Sequence, residues 1–259
     1  MTLAYERAGA GPPIVVLNGF AGTRADWDPA FLGGLGAEHE LVLVDNRGMG
    51  ESPDDGAPFA IADLAADTIA LIESLGLERP CLLGWSMGGM IAMSVTLARP
   101  ELAGGLVLLA TQSGAGMRPI PRAAGERLRD LSGTPEEQAR RLISALFTPA
   151  RAPEIEAVAL DVVAAARASL DPGVVERQWD AMEAWDAEGV TARLGEIACP
   201  ALVAAGAEDA VCPPANAPAL AAAIDGAWLA RFPRCGHAFM ADHPVALAGL
   251  IAAFLAALR

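Results

Sequence analysis

Between residues 80 and 95 the chain passes from a short apolar run, Pro80-Cys81-Leu82-Leu83, through Gly84-Trp85-Ser86-Met87-Gly88-Gly89, into Met90-Ile91-Ala92-Met93-Ser94-Val95. The first run reads as a buried strand and the last as the opening turns of a helix. A serine at the sharp turn between them must adopt a strained backbone in which neighbouring side chains collide. Glycines at 84 and 88 remove those collisions. The string G-x-S-x-G arises by chance in glycine-rich chains, and this one holds 27 glycines. The strand before it and the helix after it give it weight. The turn lifts the Ser86 hydroxyl clear of the sheet edge, at the positive end of the following helix dipole. Ser86 is the candidate nucleophile.

A chain of 259 residues fits one large α/β domain, or a domain carrying an inserted lobe. Its 53% hydrophobic content and mean hydropathy of +0.36 are inflated by alanine. The most apolar terminal run, residues 247–258, is too short to span a bilayer and reads as a closing helix. The N-terminal run, residues 1–7, lacks the basic-then-apolar pattern of a secretory signal, so the expectation is a cytoplasmic protein without a membrane partner. A net charge of −14 excludes a nucleic-acid partner, whose phosphates require a basic surface. All 18 cationic side chains are arginine, which excludes chemistry through a lysine Schiff base. Four cysteines, at 81, 199, 212 and 235, have no C-x-x-C spacing, so no metal site is expected from them. Cys81 and Cys199 read as small buried apolar groups at strand entrances, and Cys212 and Cys235 as reduced thiols.

Further buried strands read at residues 14–17, 41–44, 105–110, 201–205 and 228–232, with a weak edge strand at 3–7. Ile61, Leu64, Ala65, Ile69, Ile72 and Leu75 recur at helical spacing before a stop at Gly76. Residues 111–200 are too long for an ordinary connection, and their pattern is helical over 121–131, 135–147, 155–168 and 174–187. Pro135-Glu136-Glu137 and Asp171-Pro172 read as helix starts. Arg118, Arg122, Arg127 and Arg129 there read as solvated helix faces.

A serine nucleophile needs an adjacent base. Of the three histidines, His39 lies between a helix and a strand and is expected to be exposed. His237 follows the last strand in Cys235-Gly236-His237-Ala238-Phe239-Met240, and His243 stands beside Pro244 at a helix start. The base in turn needs a carboxylate to fix its tautomer. Glu208 and Asp209 both follow the strand at 201–205.

Taken together these segments resemble the α/β-hydrolase fold. The serine turn, Asp45-Asn46-Arg47-Gly48-Met49-Gly50-Glu51-Ser52, Gly206-Ala207-Glu208-Asp209-Ala210-Val211-Cys212-Pro213-Pro214 and Gly236-His237 carry the resemblance and span the chain. It implies an α/β architecture: a mostly parallel sheet of about seven strands, the family's usual first strand being missing, with helices on both faces. Residues 1–111 and 199–259 would form the core and 112–198 an inserted helical lid. It also implies a triad of Ser86, Asp209 and His237, in the chain order expected of this fold. Glu208 is one residue out of register, and Asp242-His243-Pro244 meets a different family pattern, an acid-x-Pro. The earlier strand end, Thr111-Gln112-Ser113-Gly114, offers no competing acid. Asp45 and Arg47 would pin their turn by ion pairs and hydrogen bonds.

Backbone N–H groups of Phe20 and Met87 would form the oxyanion hole. Removing one such donor raises the barrier by about 2.7–4 kcal/mol. Asn18 stands where related hydrolases carry histidine. Trp27, with Phe31 near it, is expected at the pocket entrance. Trp27, Trp85, Met117, Phe147, Trp179, Met182 and Trp185 are candidate substrate-binding residues, although some must simply pack the lid.

The resemblance implies hydrolysis of a small-molecule carboxylic ester or lactone, or a thioester, with enol-lactonase-like and methyl-esterase-like members the most similar and no metal or organic cofactor. Carbon–carbon bond hydrolysis, perhydrolysis and acyl transfer use the same triad and stay open, as does a non-catalytic ligand receptor on this fold. Haloalkane dehalogenases and epoxide hydrolases are excluded, because they carry aspartate at the position of Ser86.

Overall fold

The computed structural model describes residues 2–258. Met1, in the N-terminal run read above, and Arg259, the last residue of the expected core, lie outside them.

The elements run β1 (Tyr5–Gly9), β2 (Pro13–Leu17), α1 (Pro29–Gly36), β3 (Glu40–Val44), α2 (Ile61–Ser74), β4 (Cys81–Trp85), α3 (Met87–Ala98) and β5 (Gly105–Leu109). Four helices follow without a strand: α4 (Arg122–Arg129), α5 (Pro135–Leu146), α6 (Ala152–Ala168) and α7 (Pro172–Ala187). The chain then resumes with β6 (Ala201–Gly206), α8 (Asn216–Ala223), β7 (Trp228–Phe232), α9 (Phe239–Asp242) and α10 (Pro244–Ala256). Seven strands form one sheet in the order β1-β3-β2-β4-β5-β6-β7, parallel except for β1, which runs antiparallel along β3 at the edge. The fold is the α/β arrangement that the sequence implied.

Two apolar layers explain why these strands read as unbroken hydrophobic runs. Successive side chains of a strand point to opposite faces, and parallel strands are covered on both. Val15, Leu17, Val42, Val44, Leu82, Leu106, Leu108 and Val203 join one buried cluster with α2, α3 and α8. Ile14, Val16, Leu41, Leu43, Leu83, Val107, Leu109 and Leu202 join the other with α1, α9 and α10. Helices α4, α5 and α7 contribute Ala124, Leu128, Ala145, Trp179, Met182 and Trp185 to the first cluster, so the inserted helices share a core with the sheet.

Local chemistry sets the helix ends. Thr134 caps α5 reciprocally with Glu137, and Asp171 accepts from the Gly173 and Val174 N–H groups at the start of α7, with proline at the first position of each helix. Gly76, at φ +61°, closes α2. Arg122, Arg127 and Arg129 are exposed on α4, as expected of a solvated helix face, and Arg118 is exposed in the segment before it. Among the described residues no helix is long and apolar enough to cross a membrane.

Two expectations need correction. His39 is buried, 3% exposed, because the backbone around Gly9 and Gly11 crosses directly over it; a Cβ at Gly9 would lie 2.4 Å from the His39 carbonyl oxygen. Phe31, expected near an entrance, is fully buried under α10 in the second layer. The turn after β3 is pinned as the pattern implied, but through separate partners. Asp45 pairs with Arg24, whereas Arg47 reaches Asp67 on α2 at 2.8 Å.

A Cβ at Gly88 would lie 2.2 Å from the Leu17 carbonyl oxygen, a backbone atom of β2 that has no room to retreat. Gly88→Ala is expected to cost at least ~2 kcal/mol, lowering Tm by roughly 4–8 °C, as read by thermal unfolding followed by circular dichroism.

Candidate active site

At the junction of β4 and α3, Ser86 holds φ +54° and ψ −117°, outside the ordinary allowed regions for a side-chain-bearing residue. Besides the Gly89 N–H of the following helix, which reaches the Ser86 carbonyl at 2.9 Å, two bonds from the next strand and the segment after it hold its backbone there. Its N–H donates to the Leu109 carbonyl at 2.8 Å, and the Thr111 hydroxyl donates to the Ser86 carbonyl at 2.6 Å. Close approach is possible only because the neighbours lack side chains: a Cβ at Gly84 would meet the Gly88 carbonyl at 2.1 Å, and one at Gly89 would meet Thr111 at 2.6 Å. Met87 opens α3, so its N–H belongs to the first turn, where helical N–H groups lack intrahelical partners.

Beyond β6, Asp209 is buried and has both carboxylate oxygens engaged. Oδ1 accepts from the Val211 and Cys212 N–H groups, each at 2.8 Å, and Oδ2 lies 2.7 Å from His237 Nδ1. His237, beyond β7, is also buried. A carboxylate at Nδ1 holds the proton there and leaves Nε2 as the basic nitrogen. Glu208 and His243 are both exposed, and neither enters this pair. Trp85 seats the imidazole: the ring centroids are 5.4 Å apart and the indole N–H donates to the His237 carbonyl at 3.2 Å. From α5, the Leu146 carbonyl accepts from the Ala238 N–H at 3.1 Å, so the inserted helices brace this loop. Among the described residues the Ser86 hydroxyl makes no hydrogen bond to the ring; such contacts often tighten only with substrate bound.

The third loop leaves β2. Asn18 Nδ2 donates to the Val44 carbonyl at 2.6 Å, and Asn18 Oδ1 accepts from the Trp27 indole. The asparagine therefore ties β2 to β3 and to the following segment. Gly19 to Gly22 form a turn closed by the Gly22 N–H on the Gly19 carbonyl at 3.2 Å, with Ala21 at φ +52°. A Cβ at Gly19 would lie 3.4 Å from the Ser86 Cβ, so this turn passes directly beside the serine.

The other candidate residues divide. Trp27 is buried against Phe31 and bonded to Asn18, which makes it a support behind the loop. Trp185 donates to the Gln112 carbonyl at 3.2 Å, Trp179 to Glu183 at 2.7 Å, and Met182 is buried between them in the first apolar layer. Met117 and Phe147 are half-buried at the edges of the two layers. Gln178 escaped the sequence analysis. It accepts from the Ala21 N–H at 2.8 Å. Its signal was present: it falls four residues after Val174 and four before Met182, a polar side chain within an apolar helical stripe. Among the described residues no group of three or more His, Cys, Asp or Glu is placed to hold a metal ion.

A seven-stranded, mostly parallel sheet with a strained serine after β4 and a buried acid–imidazole pair after β6 and β7 defines an α/β hydrolase. A profile of the Alpha/beta hydrolase family matches residues 14–250, and the chain belongs to that family. A relative from Azorhizobium caulinodans, provisionally named carbamate hydrolase RutD, is 31% identical over 93% of this chain and 90% of its own. A thermophilic esterase from Thermogutta terrifontis superposes with a TM-score of 0.82 at 26% identity, covering 99% of this chain and 93% of the esterase. The enol-lactonase of Burkholderia xenovorans LB400 has a TM-score of 0.84 at 23% identity over 98% of this chain and 96% of its own, a likeness of fold.

All four cysteines are free and buried. Burial raises the Cys81, Cys199 and Cys212 thiols above their ordinary range, with Asp209 adding to the rise at Cys212, and lifts Cys235 to about 11. Thiolate is the reactive form. Ellman's reagent at pH 8 is therefore expected to leave the native protein essentially unlabelled and to titrate all four thiols in guanidinium.

Proposed function

We propose that this hydrolase cleaves a carboxylic ester or lactone through an acyl-enzyme, with the helices of residues 112–198 acting as a lid. The observation that carries the proposal is the buried Asp209–His237 contact of 2.7 Å, in a loop seated by Trp85, the residue before the strained serine. Ser86 Oγ attacks the carbonyl carbon while His237 Nε2 takes its proton, and Asp209 stabilises the imidazolium that results. The carbonyl oxygen gains charge against the Met87 and Phe20 N–H groups, fixed donors that need no reorganisation as the charge develops. His237 then protonates the departing alkoxide. Water, deprotonated by the same nitrogen, attacks the acyl-enzyme and frees Ser86.

Esterase and enol-lactonase activities among the structural neighbours favour an oxygen leaving group. A carbamate carbonyl, named for the Azorhizobium relative, presents the same carbon and oxygen to the same groups. Trp179, Met182 and Trp185 bury an apolar side of the inserted helices in the same layer as α2 and α3.

The decisive experiment pairs a fluorophosphonate probe with hydrolysis of p-nitrophenyl acetate. Wild-type protein should be labelled at Ser86 and should turn over the ester. Ser86→Ala should lose labelling and on the order of 10⁶ in kcat. Asp209→Asn, which keeps the shape but fixes the wrong imidazole tautomer, should lose on the order of 10⁴. A Ser86→Ala protein with most of its turnover intact would refute the proposal.

A further inference from the structure

We propose that Gln178, on α7, is a positioning residue for the oxyanion hole: its side-chain oxygen fixes the peptide that follows the Phe20 donor. The proposal rests on the serine-hydrolase reading above and adds a lid residue to it.

Gln178 is fully buried, and its Oε1 accepts from the Ala21 N–H at 2.8 Å across 157 residues of sequence. Ala21 holds φ +52°, a left-handed conformation that a residue with a Cβ adopts only when its surroundings enforce it. Without that acceptor, relaxing Ala21 toward ordinary φ would rotate the Phe20–Ala21 peptide. The turn closed by Gly22 and Gly19, which contains the Phe20 N–H, would move with it. The next residue on the helix grips the same loop from its side chain, because Trp179 packs edge-on against Phe20 at 5.6 Å. Helix α7 thus holds both the backbone and the ring of the donor segment.

The state of the amide itself supports this role. Gln178 Nε2 is buried and has no hydrogen-bond partner among the described residues. An amide buried with one half unsatisfied is a poor core residue, since an apolar side chain of equal length would fill the space without that penalty. What the glutamine supplies that a methionine cannot is the acceptor for Ala21.

The test is Gln178→Met, which keeps length and volume, measured with p-nitrophenyl acetate and an alkyl trifluoromethyl ketone. Ser86 adds to that ketone, its proton passing to His237, and the former carbonyl oxygen becomes an oxyanion in the adduct. The expected result is a fall of roughly 10–100-fold in kcat with KM within about twofold, and a parallel loss of fluoroketone affinity, while Tm is unchanged or higher. Gln178→Asn, which withdraws the oxygen by one methylene but stays polar, should move the same readouts in the same direction and stands in if the methionine variant fails to fold. Folded variants with kcat and fluoroketone affinity both within twofold of wild type would overturn the positioning role and leave the hydrolase proposal intact. Wild-type protein that neither turns over the ester nor binds the fluoroketone would overturn both.

Discussion

The φ of +54° at Ser86 is the constraint to which the neighbouring structure answers. A left-handed non-glycine residue of this kind costs of order 1–3 kcal/mol and persists only where the surroundings over-determine it. Here they do: β5 supplies the Leu109 carbonyl, the segment just after it supplies the Thr111 hydroxyl, and β2 approaches so closely that only glycine fits at position 88. The parallel order β2-β4-β5 is what brings those groups to either side of the serine. The elbow is a property of three strands in register, and the local G-x-S-x-G string is the part of that arrangement written in consecutive residues.

The electrostatic half of the site is assembled differently. Asp209 and His237 lie in separate loops, both out of water, in a chain whose net charge is −14. An isolated buried carboxylate would be prohibitive. Two backbone N–H groups on one oxygen and the imidazole on the other offset that penalty. Exposed Glu208 shows the alternative outcome one residue away, where the side chain faces solvent and has no such shell.

Much of this was legible in the sequence because it is encoded locally. Strand runs and the helix starts at Pro135 and Asp171 announce themselves within about ten residues, and so do the short motifs around Ser86, Asp209 and His237 that carry the family resemblance. What the sequence did not disclose depends on contacts between distant segments. Burial of His39 follows from backbone at Gly9 and Gly11 crossing over it, which no periodicity around residue 39 encodes. Arg24 as the partner of Asp45 lies outside the turn motif itself. Trp27 looks like an entrance aromatic until its indole is seen bonded to Asn18. Gln178 was the hardest, since a polar residue in an apolar helical stripe has meaning only once the loop it meets is known.

The inserted helices touch the candidate site through main-chain partners at two of its loops, with the Leu146 carbonyl on Ala238 and the Gln178 amide oxygen on Ala21. A truncated chain that joined β5 straight to β6 would therefore not keep the same two loops. It would strip two amide hydrogens of their acceptors and bare the flank of the sheet that Trp179, Met182 and Trp185 now cover. The inserted helices are thus part of what folds those two loops, and a chain without them would have to build both loops anew.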